Sequence, residues 1–178
     1  MKRRVLFKST HLNVVELDGW FYATEPANSE KNLAVAVLPY RKSKNNIEFL
    51  ARFELNPAHL LFENHTRWAD GLHQVSIITG ACETGDPLYH AQHELIEEAG
   101  YHVDQSRFNF HGIVSPIKSS CTQMCLYSIR ILSRDRQLTY RGDGSGNESK
   151  EFAEWVDRST MIQAKDPYIH TIILRAGL

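Results

Sequence analysis

Cysteine is scarce, with only Cys82, Cys121 and Cys125 in 178 residues. The count is odd and no two of them have CxxC spacing, so neither a disulfide framework nor a thiolate zinc site organises this chain. Reduced cysteines with packing roles are expected instead. Long apolar runs are also missing. No stretch of 18 or more apolar residues occurs, and no apolar signal core follows Met1-Lys2-Arg3-Arg4, so a soluble, cytoplasmic protein with no membrane partner is expected. An excess of charge of one sign is absent too. A net charge of −1 and a pI near 6.8 give no global excess for a stable nucleic-acid partner or an acidic membrane. Nine histidines include no HExxH arrangement, and no internal repeat appears. What remains is an ordinary globular composition, 42% hydrophobic and 23% charged, at a length that suits one domain with a proper core.

The most organised stretch is Gly80 to Tyr101. A loop with glycines at 80 and 85 runs into Asp86-Pro87, and Asp at an N-cap with Pro at the first helical position is a favoured helix start. Leu88, Ala91, Leu95 and Ala99 recur at three- and four-residue spacing and Gly100 supplies the stop, which predicts one amphipathic helix. Glu94 and Glu98 stand one turn apart on a single face with Glu97 beside them. Like charges at that spacing repel, and an oxygen-binding divalent cation, Mg²⁺ or Mn²⁺, would offset the repulsion. A solvated acidic helix face is the other reading of the same three residues.

Strand signals surround this helix. Val5 and Phe7, then Leu12 to Leu17, then Trp20 to Ala23 read as strands, with Asp18-Gly19 as a hairpin turn. Three consecutive aromatics, Trp20-Phe21-Tyr22, exceed what one face of a small hairpin buries. They call for a partner subunit, the main domain or a planar ligand. Leu33 to Tyr40 is a short apolar run suited to a buried strand, and Ile47 to Phe53 is a second strand after a polar turn. Residues 56–73 carry no clean period and are expected to be a loop or short helix. Gln74 to Thr79 predicts the strand leading to the glycine loop. Arg107 to Val114 and Met124 to Leu132 predict two more strands, with Gln137 to Tyr140 as a candidate extension. Arg141 to Glu151, rich in glycine, predicts a loop before a last strand at Phe152 to Val156. Arg158 to Ala164 and Pro167 to Leu174 predict helices, Ile169, Ile172 and Ile173 giving the second an apolar face. Residues 1–32 are thus expected to be an N-terminal β-hairpin extension and 33–178 the main domain.

The glycine loop and the segment Glu94-Leu-Ile-Glu97-Glu98-Ala-Gly100-Tyr101 resemble the Nudix box. Its family pattern is Gly, five residues, Glu, seven residues, Arg-Glu, an aliphatic, any residue, Glu-Glu, any residue, Gly and an aliphatic. The second half matches closely and the first half departs from it. Thr79 stands where the first Gly belongs, with Gly80 following; the loop Glu has no clear counterpart, Asp86 being the nearest acid; and His93 replaces the Arg. The resemblance implies an α/β Nudix fold, a mixed β-sheet sandwiched between helices. It also implies Mg²⁺ or Mn²⁺ held by Glu94, Glu98 and Glu97, with the Thr79 carbonyl as a further ligand and Glu97 alternatively orienting water.

Within that family the chain is most similar to the ADP-ribose pyrophosphatase branch. Arg52 matches a strand-end Arg of that branch, suited to a phosphate or a nearby carboxylate. Pro116, 16 residues beyond Gly100, matches a proline of the same branch, although a strand-closing turn also explains it. Lys118, in a loop without the branch's glycine, is a candidate phosphate contact and Trp20 a candidate base-stacking residue. A Glu before the last strand implies a base, with Glu148 and Glu151 the candidates; a solvated acidic linker is the alternative. The expected function is hydrolysis of the pyrophosphate of a nucleoside diphosphate derivative, ADP-ribose or a related nucleotide sugar, by a homodimer. Hydrolysis of nucleoside triphosphates or dinucleotides, or an inactive nucleotide-binding module, are the alternatives.

Overall fold

The computed structural model describes residues 2–10, 12–25, 32–43, 46–55, 73–83, 85–135, 137–138 and 151–178. The main sheet is built on β4 (Leu33–Lys42), whose residues Leu33 to Pro39 are all buried. An unbroken apolar run is what a strand covered on both faces requires. Its neighbours are β5 (Ile47–Leu55), antiparallel, and β9 (Gln123–Arg130), parallel from Leu33↔Gln123 to Tyr40↔Arg130. The path is completed by β10 (Phe152–Asp157) outside β5 and β8 (Phe108–Val114) outside β9, both antiparallel.

The expected single strand at residues 74–79 is two. β6 (His73–Ser76) pairs with β5, and β7 (Ile78–Ala81) pairs with the first half of β4, with Ile77 at the changeover. The chain passes from one neighbour to the other because β4 and β5 are paired only near their turn, at Tyr40↔Phe49 through Lys42↔Ile47. β7 therefore occupies the sheet position beside Ala34 to Val37.

Helices cover both faces. The first, α1 (Pro87–Ala99), starts as the sequence predicts: Asp86 accepts from the N–H groups of Leu88 and Tyr89 at 3.1 and 3.4 Å, and Gly100 closes the helix at φ 73°. That angle is left-handed, where glycine carries no Cβ penalty. Strand periodicity then divides the core. Val35, Val37, Leu50, Tyr127 and Ile129 point towards α1, where Ala91, Leu95 and Ala99 meet them. Ala36, Leu38, Phe49, Ala51 and Leu126 point the other way, towards Met161 of α2 (Arg158–Gln163) and Ile169 and Ile172 of α3 (Pro167–Ala176). Each buried Val, Leu, Ile, Phe or Met among these stabilises the fold by roughly 1.5–3 kcal/mol relative to leaving it exposed.

The N-terminal segment carries the three expected strand stretches as one antiparallel sheet, with β1 (Arg3–Lys8), β2 (Asn13–Leu17) and β3 (Trp20–Thr24) in that order. Asp18 and Gly19 form the predicted turn, both at positive φ (47° and 85°). The link to the main sheet runs through β3: the Ala23 N–H donates to the Ser119 carbonyl at 2.6 Å and the Cys121 N–H to the Ala23 carbonyl at 3.0 Å.

Candidate active site around Arg52

Residue parity on β5 places the site. Leu50 faces α1 from within the core, and two residues on Arg52 faces the same way, beneath the last turn of α1. There the guanidinium pairs with Glu98, and on its other side with Glu151, which immediately precedes β10. The register Phe152↔Phe53 brings Glu151 alongside. The Arg52 side chain is 10% exposed and both glutamates 12%, so these charges are largely out of water. Charges buried to that extent require partners, and one guanidinium serves two carboxylates here. The second carboxylate oxygen of Glu98, Oε2, is buried and finds no hydrogen-bond partner among the described residues.

One turn earlier on the helix, Glu94 lies over Gly80 of β7. A Cβ on Gly80 would stand 1.9 Å from Glu94 Oε1 and 2.0 Å from its Cδ. The glycine thus makes room for the Glu94 carboxylate, which a side chain at position 80 would displace. Glu97 is on a neighbouring stripe of α1, where it pairs with His93 at 3.0 Å; both are about half exposed, and the His93 ring stacks with Tyr89. Of the three box glutamates, Glu94 and Glu98 therefore turn towards the sheet, while Glu97 is engaged by His93.

Glu54 follows Arg52 on the same strand. Burial is the main cause holding its pKa above the usual 4.5, opposed by Arg52 and by a hydrogen bond to Ser76, and reinforced by Glu151 and Asp166. Asp166 is buried, accepts from Ser76 Oγ at 3.0 Å, and caps α3 by accepting from the Tyr168 N–H at 2.8 Å. Neither acid stands out in the sequence as part of a site. The Asp166-Pro167 pair repeats the helix-start signal of Asp86-Pro87, and that was the readable clue.

The other expected site residues are spread around this cluster. Thr79 is half-buried in β7 opposite Ala36, next to Gly80. Pro116 and Lys118 lie in the turn between β8 and β9, Pro116 half-buried and Lys118 exposed. Because Leu33 is opposite Gln123 and Ala34 opposite Ala81, that turn is at the same end of the sheet as the Gly80–Gly85 loop. Trp20 is 80% exposed and Phe21 60%, at the start of β3 rather than packed on the main sheet. Glu148 and most of the predicted loop at residues 141–151, like the stretch 56–72, lie outside the described residues. Cys82 and Cys125 are buried and all three cysteines are free; burial pushes the Cys82 thiol up to about 12, which leaves it inert near neutral pH.

The donors suit a hard divalent cation. They are carboxylate oxygens, one of them a buried orphan, and another occupies space that Gly80 leaves open. Among the described residues no three His, Cys, Asp or Glu side chains already converge as an ion cage, and the cation that draws Glu98 and Glu151 together is Arg52.

No family model matches this chain, and no curated protein does. Among solved structures, a crystal structure of an ADP compounds hydrolase is similar with a TM-score of 0.56, covering 91% of this chain and 79% of that one, at 14% sequence identity. At that identity the likeness is one of fold, and it agrees with the sequence expectation: this chain has a Nudix-like α/β fold, a mixed sheet between helices preceded by an antiparallel sheet.

Proposed function

We propose that this protein is a metal-dependent hydrolase cleaving the pyrophosphate of a nucleoside diphosphate derivative, with ADP-ribose or a related nucleotide sugar as the leading substrate. The observation that carries this reading is the buried cluster in which Arg52 joins Glu98 of α1 to Glu151, one helical turn from Glu94 on its glycine seat. Such a cluster is costly to bury and contributes little to stability that an apolar trio would not, so a chemical role accounts for it better than packing. The fold neighbour, described as a hydrolase of ADP compounds, supports the same substrate class.

Glu94 and Glu98, with the Thr79 carbonyl, are the groups that would hold Mg²⁺ or Mn²⁺, and Glu97 joins them on leaving His93. The bound cation would supply positive charge against the developing charge of the cleaved pyrophosphate. Arg52 holds Glu151 beside Glu98, where Glu151 is the described candidate for accepting a proton from the attacking water; Glu148 is the alternative. Arg52 is also placed to shift its contact from carboxylate to phosphate as substrate arrives. Lys118 and Pro116 would border the substrate at the sheet end that carries the glycine loop, and Trp20 would stack on a base or a partner subunit.

Parallel turnover assays with Mg²⁺ and Mn²⁺ on ADP-ribose, nucleoside triphosphates and dinucleotides test the substrate. The highest kcat/KM is expected on ADP-ribose. Higher values on either other class would overturn the ADP-ribose preference, and nucleotide binding without turnover on any of them would make the protein a binding module.

A further inference from the structure

At the far end of the sheet from the glycine loop, a cavity of 450 Å³ opens between the C-terminal ends of β4 and β9, the segment after α1, and β10. Arg41, Lys42 and Arg130 line it, together with Tyr101 and Trp155. The one carboxylate in its wall among the described residues, Asp135, is already committed. It accepts from Arg107 Nη1 and Nη2 at 2.7 and 2.8 Å and from the Leu132 N–H at 2.7 Å. Arg130, by contrast, is exposed and has no carboxylate partner among the described residues. Among the described residues the lining thus leaves Lys42 and Arg130 as cations without a carboxylate partner, in a protein whose overall charge is −1.

One of the lining cations is fixed in place. Arg41 is held at 2.7 Å by Glu48 across the strand pair, and its guanidinium lies 4.4 Å from the centre of the Trp155 ring. Trp155 in turn meets the Tyr101 ring edge to face, at 6.3 Å, and the Tyr101 hydroxyl donates to Gln137 at 3.3 Å. A preformed concavity of this size, with a flat aromatic and guanidinium floor and cations at the rim, suits a small organic anion rather than a polymer. Arg41 is paired with Glu48, four residues from Arg52 on β5, so roughly 13 Å of strand separates the basic rim from the Arg52 cluster, while Trp155, opposite Leu50, brings the cavity's other wall to roughly 7 Å from it.

We propose that this cavity is a second binding site, for a phosphorylated small molecule of mononucleotide size whose phosphate lies between Arg130 and Lys42. The site stands whether or not the Arg52 cluster is catalytic. Calorimetric titration with AMP, in chelator, tests it on the full chain in wild-type, Lys42→Glu/Arg130→Glu, Arg130→Gln and Glu98→Gln forms. Lys42 and Arg130 are exposed, so the thermal midpoints of their variants should match wild type. Wild type and Glu98→Gln are expected to bind AMP equally, with affinity falling about threefold in Arg130→Gln and at least tenfold in the double variant, as loss of charge-assisted phosphate contacts demands. Unchanged affinity in both Arg130 variants, loss of binding in Glu98→Gln, or no wild-type binding at millimolar AMP would overturn the proposal.

Discussion

Substituting Gly80 by Ala separates positioning from stability. The new Cβ would stand 1.9 Å from Glu94 Oε1, whereas ordinary contact begins at 3.4 Å. The Glu94 carboxylate must therefore retreat by about 1.5 Å, and displacements of that order cost roughly a hundredfold in rate when the displaced group is part of the reacting geometry. The backbone has no reason to object, since Gly80 is not among the glycines at positive φ. Restricting the unfolded chain stabilises by about 0.4–1 kcal/mol, and an off-rotamer Glu94 costs about 0.5–1.5 kcal/mol. The two nearly cancel, so the urea midpoint should move little. Steady-state hydrolysis of ADP-ribose, followed by phosphatase-coupled phosphate release, should then show kcat lowered roughly a hundredfold with the fold intact. Wild-type kcat in Gly80→Ala would refute the reasoning, because Glu94 would have moved without consequence.

Arg52→Met leaves two largely buried carboxylates without their cation; urea unfolding should show a loss of about 3 kcal/mol, the lower end for a broken buried pair. Adding Glu98→Gln and Glu151→Gln to it should recover part of that loss, and a single variant as stable as wild type would show the pairs to be energetically idle. Glu54 has a folded-state pKa raised by burial above its usual 4.5, so the folded protein binds its proton more tightly and loses stability as pH rises above that value. Glu54→Gln should accordingly stabilise the protein in urea melts at pH 7.5 and have little effect near pH 4; the opposite ordering would contradict the assignment. With Trp20 and Phe21 both exposed at the start of β3, light scattering at micromolar concentration should give a dimer that Trp20→Ser/Phe21→Ser weakens, and a wild-type monomer would remove this strand as an interface.

Local chemistry made much of the fold legible. The α1 boundaries follow from Asp86-Pro87 and Gly100, and the burial of β4 on both faces follows from its unbroken apolar run. Pairing was harder to read. Gln74 to Thr79 looks like one strand because nothing in its alternation marks the handover at Ile77, which depends on how far β4 and β5 stay together. The acidic face of Glu94 and Glu98 was readable from helix period, whereas the pairing of His93 with Glu97 emerged only in the structure. The partners of Arg52 were not, since Glu151 is 99 residues away and arrives through the β5–β10 register. Gly80 carries meaning only once Glu94 is seen above it, because the absence of a side chain signals nothing until its neighbour is known.

The most direct test is turnover of ADP-ribose by purified wild-type protein with Mg²⁺ or Mn²⁺, beside Glu98→Gln and a chelated control. Hydrolysis that requires the cation and falls to background in Glu98→Gln is the predicted result. Turnover that survives chelation or the loss of the Glu98 charge, or no turnover by wild type, would contradict the assignment of the Arg52 cluster as a metal-dependent pyrophosphate-cleaving site.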